Sequence, residues 1–227
     1  MPWIPAVVLC AAAALCPAER GAPQAVPFDA LTEAPELWLG ETVQTVVQVR
    51  GALAERWEGF LSGLSPRSHV ALDVWGDDQL LWDPEQFRAP SGRIHVPVQV
   101  LLGEALRSTQ RRAGVPATFA RHTRARVTLR VVAYTAGRGW LEVERIEPTA
   151  EQVPEGTVLH AIRGLDLLRQ GVTGLAISEL EKALLPRLPA HVRAVLEREL
   201  RRARAAAHSV PVKTARSTGA MFAASRS

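Results

Sequence analysis

The chain has 227 residues, is 47% hydrophobic and carries a net charge of +4, which excludes a wholly disordered protein and allows one ordinary core plus a smaller appendage. Only two of its basic residues are lysine (Lys182 and Lys213), and there is no asparagine, the mark of a GC-rich coding bias that weakens arginine count as a functional signal. The charge is uneven: residues 26–150 hold 14 Arg against 15 Asp plus Glu, whereas residues 151–227 are net +5. This speaks against a barrel domain that tracks a phosphate backbone, because such a surface concentrates positive charge on itself.

Both cysteines, Cys10 and Cys16, fall within an apolar run from Trp3 to Cys16 that is too short to span a membrane and has the length of a signal-peptide core. Residues 1–18 are therefore expected to be an export signal, cleaved between about residues 16 and 25. The mature chain would then have no cysteine, no disulfide, no thiolate nucleophile and no transmembrane span. Residues 19–40 contain scattered Pro and acidic residues without sustained periodicity, and read as a linker.

From residue 41 the pattern alternates. Thr42 to Gly51 places Val43, Thr45, Val47 and Val49 on one face and leaves Gln44, Gln48 and Arg50 for solvent. His69 to Trp75 turns Val70, Leu72 and Val74 inward and His69, Ala71, Asp73 and Trp75 outward. Arg93 to Val100 turns Ile94, Val96, Val98 and Val100 inward, with Pro97 marking a bulge or an edge. Leu101 to Ala113 shifts to helical spacing, and Gly114 stands at the C-cap position. Two more strands, Arg124 to Tyr134 and Trp140 to Glu147, flank the Gly-containing loop Thr135 to Gly139 and predict a hairpin, in which Arg130 lies opposite Glu144.

Three strands, a helix and two strands over residues 41–149 resemble the oligonucleotide/oligosaccharide-binding (OB) fold, a five-stranded Greek-key barrel. An SH3-like barrel or an open sheet with one helix competes with it. Residues 157–207 are helical. His160 to Pro189 is similar to one tetratricopeptide repeat (TPR): Gly164 and Leu167 match the small and large positions of its first helix, Gly171 the turn, and Ala176, Leu180 and Ala183 the second helix. His160 and Arg163 stand where that family has an aromatic residue and a leucine, and Pro189 arrives one residue late. A third helix, Ala190 to Ala207, is expected to cap the hairpin through Val192, Val195, Leu196 and Leu200, because a lone repeat cannot bury its own apolar face. Residues 208–227 read as a disordered tail. The fold class is thus α+β.

No nucleophile elbow, zinc-binding HExxH or phosphate-binding loop is present, so catalytic residues, metal ligands and cofactors are all assigned as none. The six histidines lack ligand spacing, and only His69 and His95 could meet across adjacent strands, where two solvated rings are the simpler reading. Asp73, Asp77, Asp78 and Asp83 likewise read as a solvated turn and not a calcium site. The sequence suggests an exported, non-enzymatic adaptor of the bacterial cell envelope with an unidentified protein partner. Trp75, Arg93 and His95 on the barrel and Arg163 on the hairpin are its candidate contacts. The alternative is a cytoplasmic single-strand nucleic-acid binder, which the barrel's net charge of −1 disfavours.

Overall fold

The computed structural model describes residues 22–52, 62–101, 103 and 120–209. The export signal, most of the expected Leu101 to Ala113 helix and the tail from residue 210 lie outside them. Strand β1 is Gln24–Ala25, and five longer strands follow: β2 Thr42–Ala52, β3 His69–Gly76, β4 Gly92–Pro97, β5 Arg124–Thr135 and β6 Arg138–Pro148. Their order is β1-β2-β3-β4-β6-β5, and β5 pairs back onto β2 from Thr42↔Arg130 to Gln48↔Arg124, which closes the five long strands into a barrel. β4 and β6 run parallel, while the other pairs around the barrel are antiparallel. Alternation fills the interior with Val43, Val47, Leu72, Val74, Ile94, Val96, Val127, Leu129, Leu141 and Val143.

Three local features differ from the sequence reading. Residues 22–40 are not a free linker: α1 (Phe28–Glu33) sends Phe28 and Leu31 into the barrel core, and a 3-10 turn follows at Pro35–Trp38. Six residues are too few for periodicity to register. β4 stops at Pro97, which has no N–H for the ladder, and residues 98–101 are helical instead of extending the strand to Val100. The β5–β6 hairpin turns tightly through Ala136 and Gly137, both at positive φ (51° and 72°), as a two-residue type I′ turn requires. This turn and one bulge between Val131 and Ala133 set the register, so Arg130 faces Glu142 and not Glu144, and a second bulge follows between Thr128 and Leu129.

The C-terminal part forms three helices, after the short α2 (Pro84–Arg88) capped by Asp83: α3 Glu155–Arg169, α4 Thr173–Ala183 and α5 Ala190–Ser209. α3 and α4 pack along Gly164, Ala176, Leu180 and Ala183, all buried, and α5 lays Val192, Leu196, Leu200 and Ala203 inward. One further apolar face of the helices meets the barrel, while Leu159, Leu175 and Leu185 stay exposed. Trp75, Leu81 and Trp82 join Val158, Ala161, Leu188, Val192 and Leu196 in one buried cluster, so the barrel wall covers part of what the hairpin cannot cover itself. His191 Nε2–H donates to the Asp77 carbonyl at 2.9 Å across this junction.

Candidate functional site

The outward residues of β3, β4 and β6 form a polar strip. Asp73 and Arg93 are register partners, and Arg93 Nε donates to Asp73 Oδ1 at 3.2 Å while Arg50 approaches the other oxygen at 3.8 Å. One pair along, His95 lies beside Ala71 on β3 and Glu142 on β6. Its side chain is 0% exposed, Nδ1–H donates to the Leu141 carbonyl at 3.2 Å, and its ring packs on Trp140 with centroids 5.2 Å apart. Burial holds the imidazole pKa down at about 4, against the pull of the Leu141 hydrogen bond and with help from Arg138, Arg93 and His69. His95 is therefore neutral at physiological pH and supports the strip from beneath.

Trp140 is nearly buried and anchored, since Nε1–H donates to Thr135 Oγ1 at 2.7 Å. The guanidinium of Arg138 lies over its ring, 5.3 Å from the centroid, a cation–π arrangement. Between α1 and the β5–β6 turn is an open pocket of about 280 Å³ with Leu31, Thr32, Asp73, Arg93, Arg138 and Leu141 among its walls. Partial burial and the nearby Arg93 both lower the Arg138 pKa from its ordinary value, and Asp73 only partly offsets them. The pocket is positive.

At the other end of the strip, Ser68 Oγ lies 2.9 Å from His69 Nδ1, and His69 Nε2 lies 3.0 Å from Glu142 Oε1. Glu142 also meets Arg130 at 3.4 Å. A hydroxyl, an imidazole and a carboxylate in line is the order of a nucleophile relay. Here Ser68 Oγ also contacts Ser65 Oγ at 2.9 Å and the Ser65 carbonyl at 3.3 Å, so the hydroxyl is engaged in its own turn. The sequence reading found no such line. A Ser-His pair at a strand start gave no hint that β6 would bring Glu142 alongside.

The four expected contacts separate. Arg93 is on the open strip and Arg163 is exposed on α3. No contact among the described residues joins Arg163 to the barrel trio. Trp75 does point out of the barrel, but it is 0% exposed beneath the helices, stacked on Phe87 at 5.4 Å and near His122 at 5.4 Å. His95 is buried as well. Both are corrected from surface contacts to support, and His69, also buried, is no solvated ring. Alternation tells which side of a sheet a residue takes, not what covers that side. Arg138 was missed because the expected loop, Thr135 to Gly139, left it out of the strand, whereas Trp140 was placed on the strand but without the cation that lies over it.

The acidic residues of the β3–α2 region divide their work. Asp73 holds arginines, Asp77 receives Arg124 (Nη2 to Oδ2, 2.8 Å), and Asp83 Oδ1 accepts from the Glu85 amide at 3.0 Å. Among the described residues no group of three His, Cys, Asp or Glu is arranged to hold a metal ion, and no helix is long and apolar enough to cross a membrane. In comparisons with known proteins, the chain matches no family model, no curated protein and no solved structure.

Proposed function

We propose that this chain is an exported, non-enzymatic binding or adaptor protein of the bacterial cell envelope, built from an OB-like barrel and a TPR-like hairpin. The observation that carries the reading is the open, positive pocket where Arg93 and Arg138 flank the outside of a barrel whose own core is complete. The barrel's closure, with the third and fifth of its long strands parallel, supports the OB-like reading. The small-residue seam of Gly164, Ala176 and Ala183 supports the TPR-like one. Asp73 and Glu142 border the strip and oppose a polyanion, which favours a protein partner over a nucleic acid.

A photo-crosslinking residue at position 90, on the exposed pocket rim where it leaves Arg93 and Arg138 in place, compared with one at the exposed Arg202 of α5, tests the reading in the envelope fraction of a GC-rich bacterial host. A discrete adduct from position 90 and none from position 202 is expected. Equal, diffuse labelling would overturn the assignment of the strip. Labelling of Ser68 by a fluorophosphonate probe would overturn the non-enzymatic part.

A further inference from the structure

We infer that the pocket between α1 and the β5–β6 turn is a carboxylate-binding site that holds the free C-terminus of a polypeptide between Arg138 and Arg93. The inference rests on the proposed binding role and names what that surface recognises. Its starting point is charge accounting. Arg50 and Arg93 share Asp73, Arg124 meets Asp77, Arg130 meets Glu142 and Arg145 meets Glu147, whereas Arg138, like Arg67, Arg88, Arg121 and Arg126, has no ion pair among the described residues and, unlike those four, lines this pocket. It lies instead over Trp140, an indole fixed in place by Thr135 and His95. A guanidinium supported on an aromatic ring keeps donors at its edge and loses little freedom when an anion arrives.

Arg93 is the second donor. Its hydrogen bond to Asp73 uses Nε, and the same guanidinium lines the pocket. One anion placed between the two guanidiniums offsets the repulsion that Arg93 exerts on Arg138. On the turn side, Gly137 has no side chain and nothing stands within 4 Å of where its Cβ would be, whereas Gly139 packs against Pro35.

Size and surroundings choose the anion. About 280 Å³ is slightly below the range of about 300–1,000 Å³ for drug-sized ligands, and suits the last residue or two of a chain. Leu31, Pro90 and Leu141 give an apolar wall for a terminal aliphatic side chain. Asp73 also lines the pocket, which penalises a doubly charged phosphate more than a singly charged carboxylate. A carboxylate with an apolar side chain attached is the chemistry that fits.

The test titrates the full chain with N-acetyl-leucine, N-acetyl-leucine amide, acetate and inorganic phosphate, following the Trp140 indole N–H by NMR. N-acetyl-leucine is expected to shift that resonance saturably, with acetate weaker and the amide silent. Arg138→Gln should weaken binding by about tenfold or more, while Arg138→Lys retains part of it. Arg138 is exposed at a hairpin tip, so both variants should keep the parent's unfolding midpoint, which is measured alongside. No saturable shift, an equal shift from the amide, or full binding by Arg138→Gln would overturn the site. Phosphate binding tighter than N-acetyl-leucine would overturn its assignment to carboxylate. None of these failures would remove a position-90 crosslink, so this inference and the adaptor reading fall separately.

Discussion

Gln48, on β2, donates its side-chain amide to the Val153 carbonyl at 2.9 Å inside a buried junction, and so fastens the barrel to the segment that leads into α3. Strand alternation assigns this glutamine to solvent, yet it is 4% exposed. Its substitution by leucine would leave the carbonyl without a donor in a dry place, costing about 1–3 kcal/mol. Urea unfolding should show a lower midpoint with little change in slope. An unchanged midpoint would mean that water reaches Val153.

Trp75 offers a second probe of the same junction. It is buried between Phe87, His122 and the helices, so Trp75→Ala should cost about 3–5 kcal/mol through the cavity left behind. Its Nε1–H has no hydrogen-bond partner, and Trp75→Phe therefore forfeits packing only, at about 1–2 kcal/mol. A surface contact would behave the other way, losing partner binding at unchanged stability. Chemical denaturation of the two variants separates the cases.

These two residues also mark where sequence reasoning stops. The period-2 pattern was enough to find five strands and the inward valines, because each side of a strand carries its own chemistry. It could not find that α3 and α5 cover Trp75, or that Trp140 packs on His95, since Gln48, Trp75 and His95 are types that suit either water or a satisfied interior. Nor could it find the register of Arg130, which the position of the turn and the bulge between Val131 and Ala133 together move from Glu144 to Glu142. The site inherited that loss: Arg93 was legible as an outward cation, but Arg138 and Trp140 become its neighbours only through the β4–β6 parallel pairing and a turn tighter than the glycine spacing suggested.

The α3–α4 seam was legible, and it makes a sharp prediction at Gly164. A Cβ there would stand 2.8 Å from Leu180 Cγ and 3.3 Å from the Ala176 carbonyl. Alanine gains about 1 kcal/mol in helix propensity over glycine. Leu180 is fully buried and has no space to retreat, so overpacking of about 1–3 kcal/mol should win. Gly164→Ala is thus expected to be modestly destabilising and Gly164→Val severely so, as read from thermal midpoints. A stabilised alanine variant would show that the helices can part without loss.

Acid should weaken the fold, and two groups of opposite sign decide how steeply. His95 has its pKa lowered from 6.5 to about 4 by burial, so below pH 6.5 the unfolded chain takes up a proton that the native chain refuses. Stability is lost progressively between pH 6.5 and 4, by about 3 kcal/mol at most. His122, also buried and also lowered, acts in the same direction. Asp78 opposes them. Partial burial, a hydrogen bond to Asp29 and the charges of Asp29 and Asp77 raise its pKa from 3.8 to about 6. The native state therefore binds that proton first, and stability rises as pH falls from about 6 toward 3.8. A protonated Asp78 supplies the donor that the buried Asp29 Oδ1 otherwise lacks. Asp78 is substantially exposed and its share is screened, so the histidines should prevail. Unfolding midpoints measured from pH 7 to 4.5 should decline for the parent, more gently for His95→Gln, and more steeply for Asp78→Asn, which is permanently neutral and has nothing to gain from acid. A parent curve that stays flat or rises would mean that His95 takes up its proton in place, and that the ring is less deeply held than its contacts with Leu141 and Trp140 require.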